Sequence, residues 1–138
     1  MVEKITWAQV GSSTVSGLLS PAFVTGSGSQ LVFTSGCVGT DEKTGKLPSS
    51  IEDQARNAFL NLKTVLEKSG SSTDSILKVL LFLSDKSYAV KVNEIYKEFF
   101  PNQPARSCIL VSFPNESLKV ELECVAQVES KRKRWFKL

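Results

Sequence analysis

The chain contains no histidine, one methionine and three cysteines in 138 residues. Without imidazole, the commonest general base and the commonest metal ligand are both missing. No Cys-x-x-Cys pair occurs, so a zinc site is not expected. Cys37, Cys108 and Cys124 are odd in number and far apart, which speaks against a disulfide framework and for a reducing compartment. No apolar run approaches the roughly 20 residues that span a bilayer, so no membrane partner is expected. The opening residues MVEKITWAQVGSS lack a basic segment followed by an apolar one, and no secretory signal is expected there.

Charge is scarce in the body. Of 17 basic residues, Lys131, Arg132, Lys133, Arg134 and Lys137 fall in the last eight positions, which leaves 12 basic against 14 acidic before them. The formal net charge of +3 therefore belongs to a tail on a slightly acidic domain. No basic stripe marks a nucleic-acid surface, and nucleic acid is not an expected partner. The division is one domain over 1–130 and a basic tail over 131–138. The tail carries a nuclear-type basic cluster, and Phe136-Lys137-Leu138 is a poor match to an S-K-L peroxisomal signal. Cytoplasm is the expected location.

What is present reads as an α+β domain. Short strands are expected at 3–8 and 15–19, and a better one at 31–38 (LVFTSGCV). The loop GTDEKTGKLPSS has the wrong glycine spacing for a phosphate-binding P-loop and reads as a surface turn. Ser49 or Ser50 can cap a helix to about Ser69, with Ile51, Ala55, Ala58, Phe59, Leu62, Val65 and Leu66 on one stripe. A strand at 75–84 is apolar at nearly every position, with Leu77, Val79, Leu81 and Leu83 on one face and Ile76, Leu80 and Phe82 on the other. A second helix runs from Asp85 or Ser87 to Phe100, burying Tyr88, Val92, Tyr96, Phe99 and Phe100. Pro101 and Pro104 stop it. Strands at 107–113 and 117–129 close the domain, and the short Pro114-Asn115-Glu116 link pairs them as a hairpin.

Two helices cover only one face of such a sheet. A central strand apolar on both faces then calls for a second subunit on the other, or for the N-terminal segment folded over it.

The candidate chemistry lies in PARSCILVSF (104–113) and the strand after it. Arg106 is either one end of a strand-end salt bridge or a fork that grips a ligand carboxylate. Val120, Leu122, Cys124 and Ala126 share one face of the last strand, Glu121 and Glu123 the other. Glu121 is either a solvated edge charge or a carboxylate that positions water or exchanges protons. Cys108 has no visible base to activate it and reads as a small hydrophobe.

The run PARSCILVSFPNESLKVELECVA closely resembles the signature of the RidA/YjgF family of enamine/imine deaminases. The resemblance extends through FTSGCVG (33–39), KTGKLP (43–48), IEDQARNAFLNLKTVLEKSGSS (51–72), ILKVLLFLSD (76–85) and VNEIYKEFF (92–100), in the family's order and spacing. It implies a chorismate-mutase-like α+β fold and a homotrimer with clefts between subunits. It also implies hydrolysis of reactive imines, such as those from 2-aminoacrylate, to 2-keto acids and ammonia without a cofactor. By the same resemblance, Arg106 binds the substrate carboxylate and Glu121 orients water or relays protons. Gly36, Cys37, Asn93, Cys108 and Phe23 line the cleft. The chain departs from the pattern twice. Ser20-Pro21-Ala22-Phe23 stands where many members carry a G-P-Y tyrosine, and Cys37 stands where deaminases commonly carry glutamine.

Overall fold

The computed structural model describes residues 3–12, 20–26 and 28–129. The strand expected at 15–19 and the tail at 131–138 lie outside the described residues. A seven-stranded sheet carries two long helices. In chain order the elements are β1 (Glu3–Ile5), α1 (Trp7–Val10), β2 (Ala22–Val24), β3 (Leu31–Thr34), β4 (Cys37–Val38), α2 (Ile51–Lys68), β5 (Ile76–Leu83), α3 (Ala89–Phe99), β6 (Ala105–Leu110) and β7 (Val120–Gln127). The strand order is β1-β2-β3-β7-β5-β6, and β4 pairs with β7 beside β3. This is the expected α+β class.

The two helices follow their sequence signals. Ser50 caps α2 by accepting from the Asp53 amide, and Glu52 and Asp53 lie in its first turn, where the helix dipole favours acids. The whole expected stripe of α2 is buried. Phe59 sits at its middle, edge-on to Tyr96, Phe99 and Phe100, with ring centroids 5.4–5.7 Å apart. Asp85 accepts from the Ser87 amide and starts a 3-10 turn (Lys86–Tyr88) that leads into α3. Ile95 joins the buried face of α3, whereas Tyr88 and Phe99 are only partly buried.

Several expectations are corrected. The first strand stops at Ile5, because Thr6 and Gln9 form a capping box that starts α1. The 31–38 strand breaks at Ser35-Gly36 into β3 and β4. β2 fell in a stretch with no strand signal and pairs with both β1 and β3. Ile76 is buried and Leu77 is 49% exposed, because an irregularity between Ile76 and Lys78 shifts the register against β7.

The largest correction concerns the closing strands. β6 and β7 do not form a hairpin. β5 lies between them, parallel to β6 and antiparallel to β7. A parallel β5–β6 pair needs a crossover, which α3 supplies. The strand that is apolar on both faces takes the interior position, and β6 is left at the edge.

Behind the sheet, Gln54 ties the loops together although α2 buries it fully. Its Nε2 donates to the Pro48 and Ser117 carbonyls, and its Oε1 accepts from the Lys119 amide at 2.9 Å. Gly39 lies flush against the Gln54 backbone, where a Cβ would come within 2.2 Å of its carbonyl oxygen. Asn57 and Asn61 of α2 donate to the carbonyls of Val38, Gly39 and Thr40. These bonds fix the backbone that follows Gly36.

Candidate active site

Arg106 is the second residue of the edge strand β6. Its register partner is the fully buried Val79, so its side chain turns to the helix face of the sheet. There it meets α3. Arg106 Nη1 donates to Asn93 Oδ1 at 2.9 Å, and its guanidinium carbon lies 4.6 Å over the centre of the Tyr96 ring. Asn93 and Tyr96 are three residues apart and share one helix face. Among the described residues no carboxylate forms an ion pair with Arg106, so it is not a strand-end salt bridge. Tyr96 is 8% exposed, and its buried hydroxyl has no hydrogen-bond partner among the described residues. Burial pushes the Tyr96 phenol up from its usual range, while the charge of Arg106 opposes the shift. Cys108, two residues along β6, shares the Arg106 face by alternation and is exposed.

Glu121 is the second residue of β7, where the expected alternation holds: Val120, Leu122, Cys124 and Ala126 are buried toward the helices. Glu121 turns to the other face, beside its register partner Phe82 on β5. Its carboxylate reaches the break between β3 and β4, where a Cβ on Gly36 would lie 1.9 Å from Glu121 Oε1. Only a glycine leaves room for that approach. Burial, then the nearby Glu123, raise the Glu121 carboxyl above the usual carboxylate range.

Cys37 follows Gly36 and points to the core. Burial, with smaller contributions from Cys124 and Glu121, pushes its thiol up to about 12. At neutral pH it is a thiol and not a nucleophilic thiolate. Cys124 is likewise pushed up to about 12, mainly by burial.

The candidate residues thus fall into two groups. Arg106, Asn93 and Cys108 lie on the helix face at the free edge of the sheet. Glu121 and Gly36 lie on the opposite face, with β5 between the two groups. Phe23 stands apart on β2, 44% exposed and opposite Phe33. Ala22 is buried and paired with Thr34. A cleft of about 180 Å³ is bordered by Trp7, Gly36, Cys37, Asn61 and Thr64, but neither Arg106 nor Glu121 lines it. Sequence reasoning gave Tyr96 to the core and missed its contact with Arg106. Its spacing of three from Asn93 on one helix was the available signal.

Comparison with known proteins bears on this arrangement. Residues 19–128 match the family model described as Endoribonuclease L-PSP. Over 98 residues the chain is 43% identical to the RutC family protein UK114 of Drosophila melanogaster, covering 69% of this chain and 70% of that one. Over 100 residues it is 35% identical to TdcF of Escherichia coli K12, named there a candidate reactive intermediate deaminase, covering 70% and 78%. The crystal structure of E. coli TdcF with bound serine superposes with a TM-score of 0.77 at 32% identity, covering 93% of this chain and all of that one. With the family model spanning most of its length and these relatives alongside, the chain belongs to the endoribonuclease L-PSP family, which is the YjgF/RidA family its PARSCILVSF segment resembles.

Proposed function

We propose that this protein is an enamine/imine deaminase that hydrolyses 2-imino acids to 2-keto acids and ammonia. The observation that carries the reading is Arg106. A guanidinium held by Asn93 and Tyr96, with no acidic partner among the described residues, is a receptor for an incoming carboxylate. TdcF, a relative solved with bound serine, supports a small carboxylate-bearing ligand.

Arg106 and Glu121 lie on opposite faces of one sheet, so one chain does not close a site around both. A second copy resolves this. The open face carries Phe23 and Phe33, 44% and 48% exposed, and suits a subunit contact. In a homotrimer, Arg106 at the free edge of one copy faces Glu121 and Gly36 of the next across a cleft. Asn93, Cys108 and Phe23 contribute to its lining, together with the backbone at Gly36 and Cys37. Arg106 holds the substrate carboxylate, and water adds to the imine carbon. Glu121 takes a proton from that water and gives it to the nitrogen, which forms a carbinolamine; it then takes the hydroxyl proton and passes it to the same nitrogen. The C–N bond breaks, ammonia leaves, and the carbonyl forms. The imine is already electrophilic, so positioning and proton exchange are enough, without histidine. Cytoplasm is the proposed location.

The test couples the protein to a dehydratase that releases 2-aminoacrylate and follows keto-acid formation. Acceleration is expected from the wild type, with a loss of about a hundredfold in Arg106→Ala, as for removal of a bidentate charged contact. No acceleration, or full activity in Arg106→Ala, overturns the reading. One observation favours a second reading, a metabolite-binding trimer without turnover: Ala22 puts a methyl where many members carry a tyrosine hydroxyl. That reading expects Arg106-dependent binding of 2-keto acids by calorimetry with no deamination.

A further inference from the structure

Tyr96 is a core residue with an unusual neighbour. It is more than nine-tenths buried, its hydroxyl has no partner among the described residues, and a guanidinium rests on its ring. An unpartnered buried hydroxyl offers no benefit that phenylalanine would lack. What the ring does offer is a flat negative face directly beneath Arg106. The Asn93 amide oxygen, one turn back on α3, takes Nη1 at 2.9 Å. The ring contact and the amide contact together restrict how the guanidinium can turn. Among the described residues Asn93 is the one side-chain acceptor for the guanidinium, which leaves its other donors for a ligand.

We infer that Tyr96 is a positioning residue for carboxylate recognition. Its ring is the platform that orients the Arg106 fork, and it sets the preference for a carboxylate over neutral analogues. The inference rests on the reading of Arg106 as the carboxylate receptor. Tyr96 does not touch the ligand and acts through the guanidinium. A lysine in this place would bind as a point charge without direction.

The test measures binding of 2-oxobutanoate and of its primary amide by calorimetry with the full chain. Tyr96→Leu is expected to weaken the acid about tenfold and the amide little, so the acid-to-amide ratio falls. Tyr96→Phe is expected to rescue the ratio, because the ring and not the hydroxyl is used. Progressively fluorinated phenylalanines at 96 keep the ring's shape while draining its negative face. Acid affinity should fall stepwise across that series, by about fivefold in total. This series decides the matter even where Tyr96→Leu does not fold. An unchanged ratio across the fluorinated series overturns the inference while Arg106-dependent binding stands. Full binding by Arg106→Ala removes the reading beneath it instead, and the two failures are thereby told apart.

Discussion

Gly36 leaves room for the Glu121 side chain, and each of the two makes a separate prediction. The three atoms nearest a methyl at 36 all belong to the Glu121 side chain. Gly36→Ala should therefore displace the carboxylate and leave the fold nearly intact. We expect deamination to drop at least tenfold, with a change in Tm of no more than a few degrees, measured by coupled assay and thermal melts. The Glu121 carboxyl is raised by burial and by Glu123, so the folded state binds its proton more tightly than the unfolded state does. The stability it supplies is full at acid pH, below the unfolded value. It is lost as pH rises through the raised folded value. Glu121→Gln lacks that charge and should melt above the wild type at pH 8, with the difference shrinking toward pH 4. Melting curves across that range check the sign. Arg106 itself was only half legible. Its two sequence readings differ by whether an acid lies nearby in space, and spacing carries no such information.

At the scale of elements, α2 was readable residue by residue because one helix face meets one core, and its 3.6 period survives any sheet order. The β6–β7 hairpin was not. A short turn is a local signal, whereas strand order is decided by competition for the interior. β5, apolar on both faces, takes the place between two partners and separates its sequence successors. The same competition moves Arg106 away from Glu121. The small elements β2 and α1 were also hidden. Each is a few residues long and held by neighbours or by one cap. Gly39 gives an element-scale prediction that contrasts with Gly36. A Cβ there runs into the backbone of α2, which has no flexible end to move. Gly39→Ala should cost about 1–3 kcal/mol by denaturant unfolding, from overpacking.

At the scale of the whole molecule, the sheet's open face bears on assembly. The two-sided apolar β5 called for a cover, and that face carries the exposed Phe23 and Phe33. Charge introduced there should leave each chain folded and keep copies apart. Phe33→Lys is expected to sediment as a monomer with native circular dichroism and to lose deamination, since Arg106 and Glu121 then have no common cleft. A monomeric variant that retains full activity would contradict the shared site.

Gln54 has one more consequence, and it concerns time. Its side chain bonds Ser117 and Lys119, 63 and 65 residues further along the chain. Those bonds cannot form until both helices and the central strands have been delivered to one place, so they belong to the last stage of folding. An interaction made after the folding barrier acts as a latch on the way out. Gln54→Leu should speed unfolding severalfold and leave the refolding rate almost unchanged, read from the two limbs of a chevron plot.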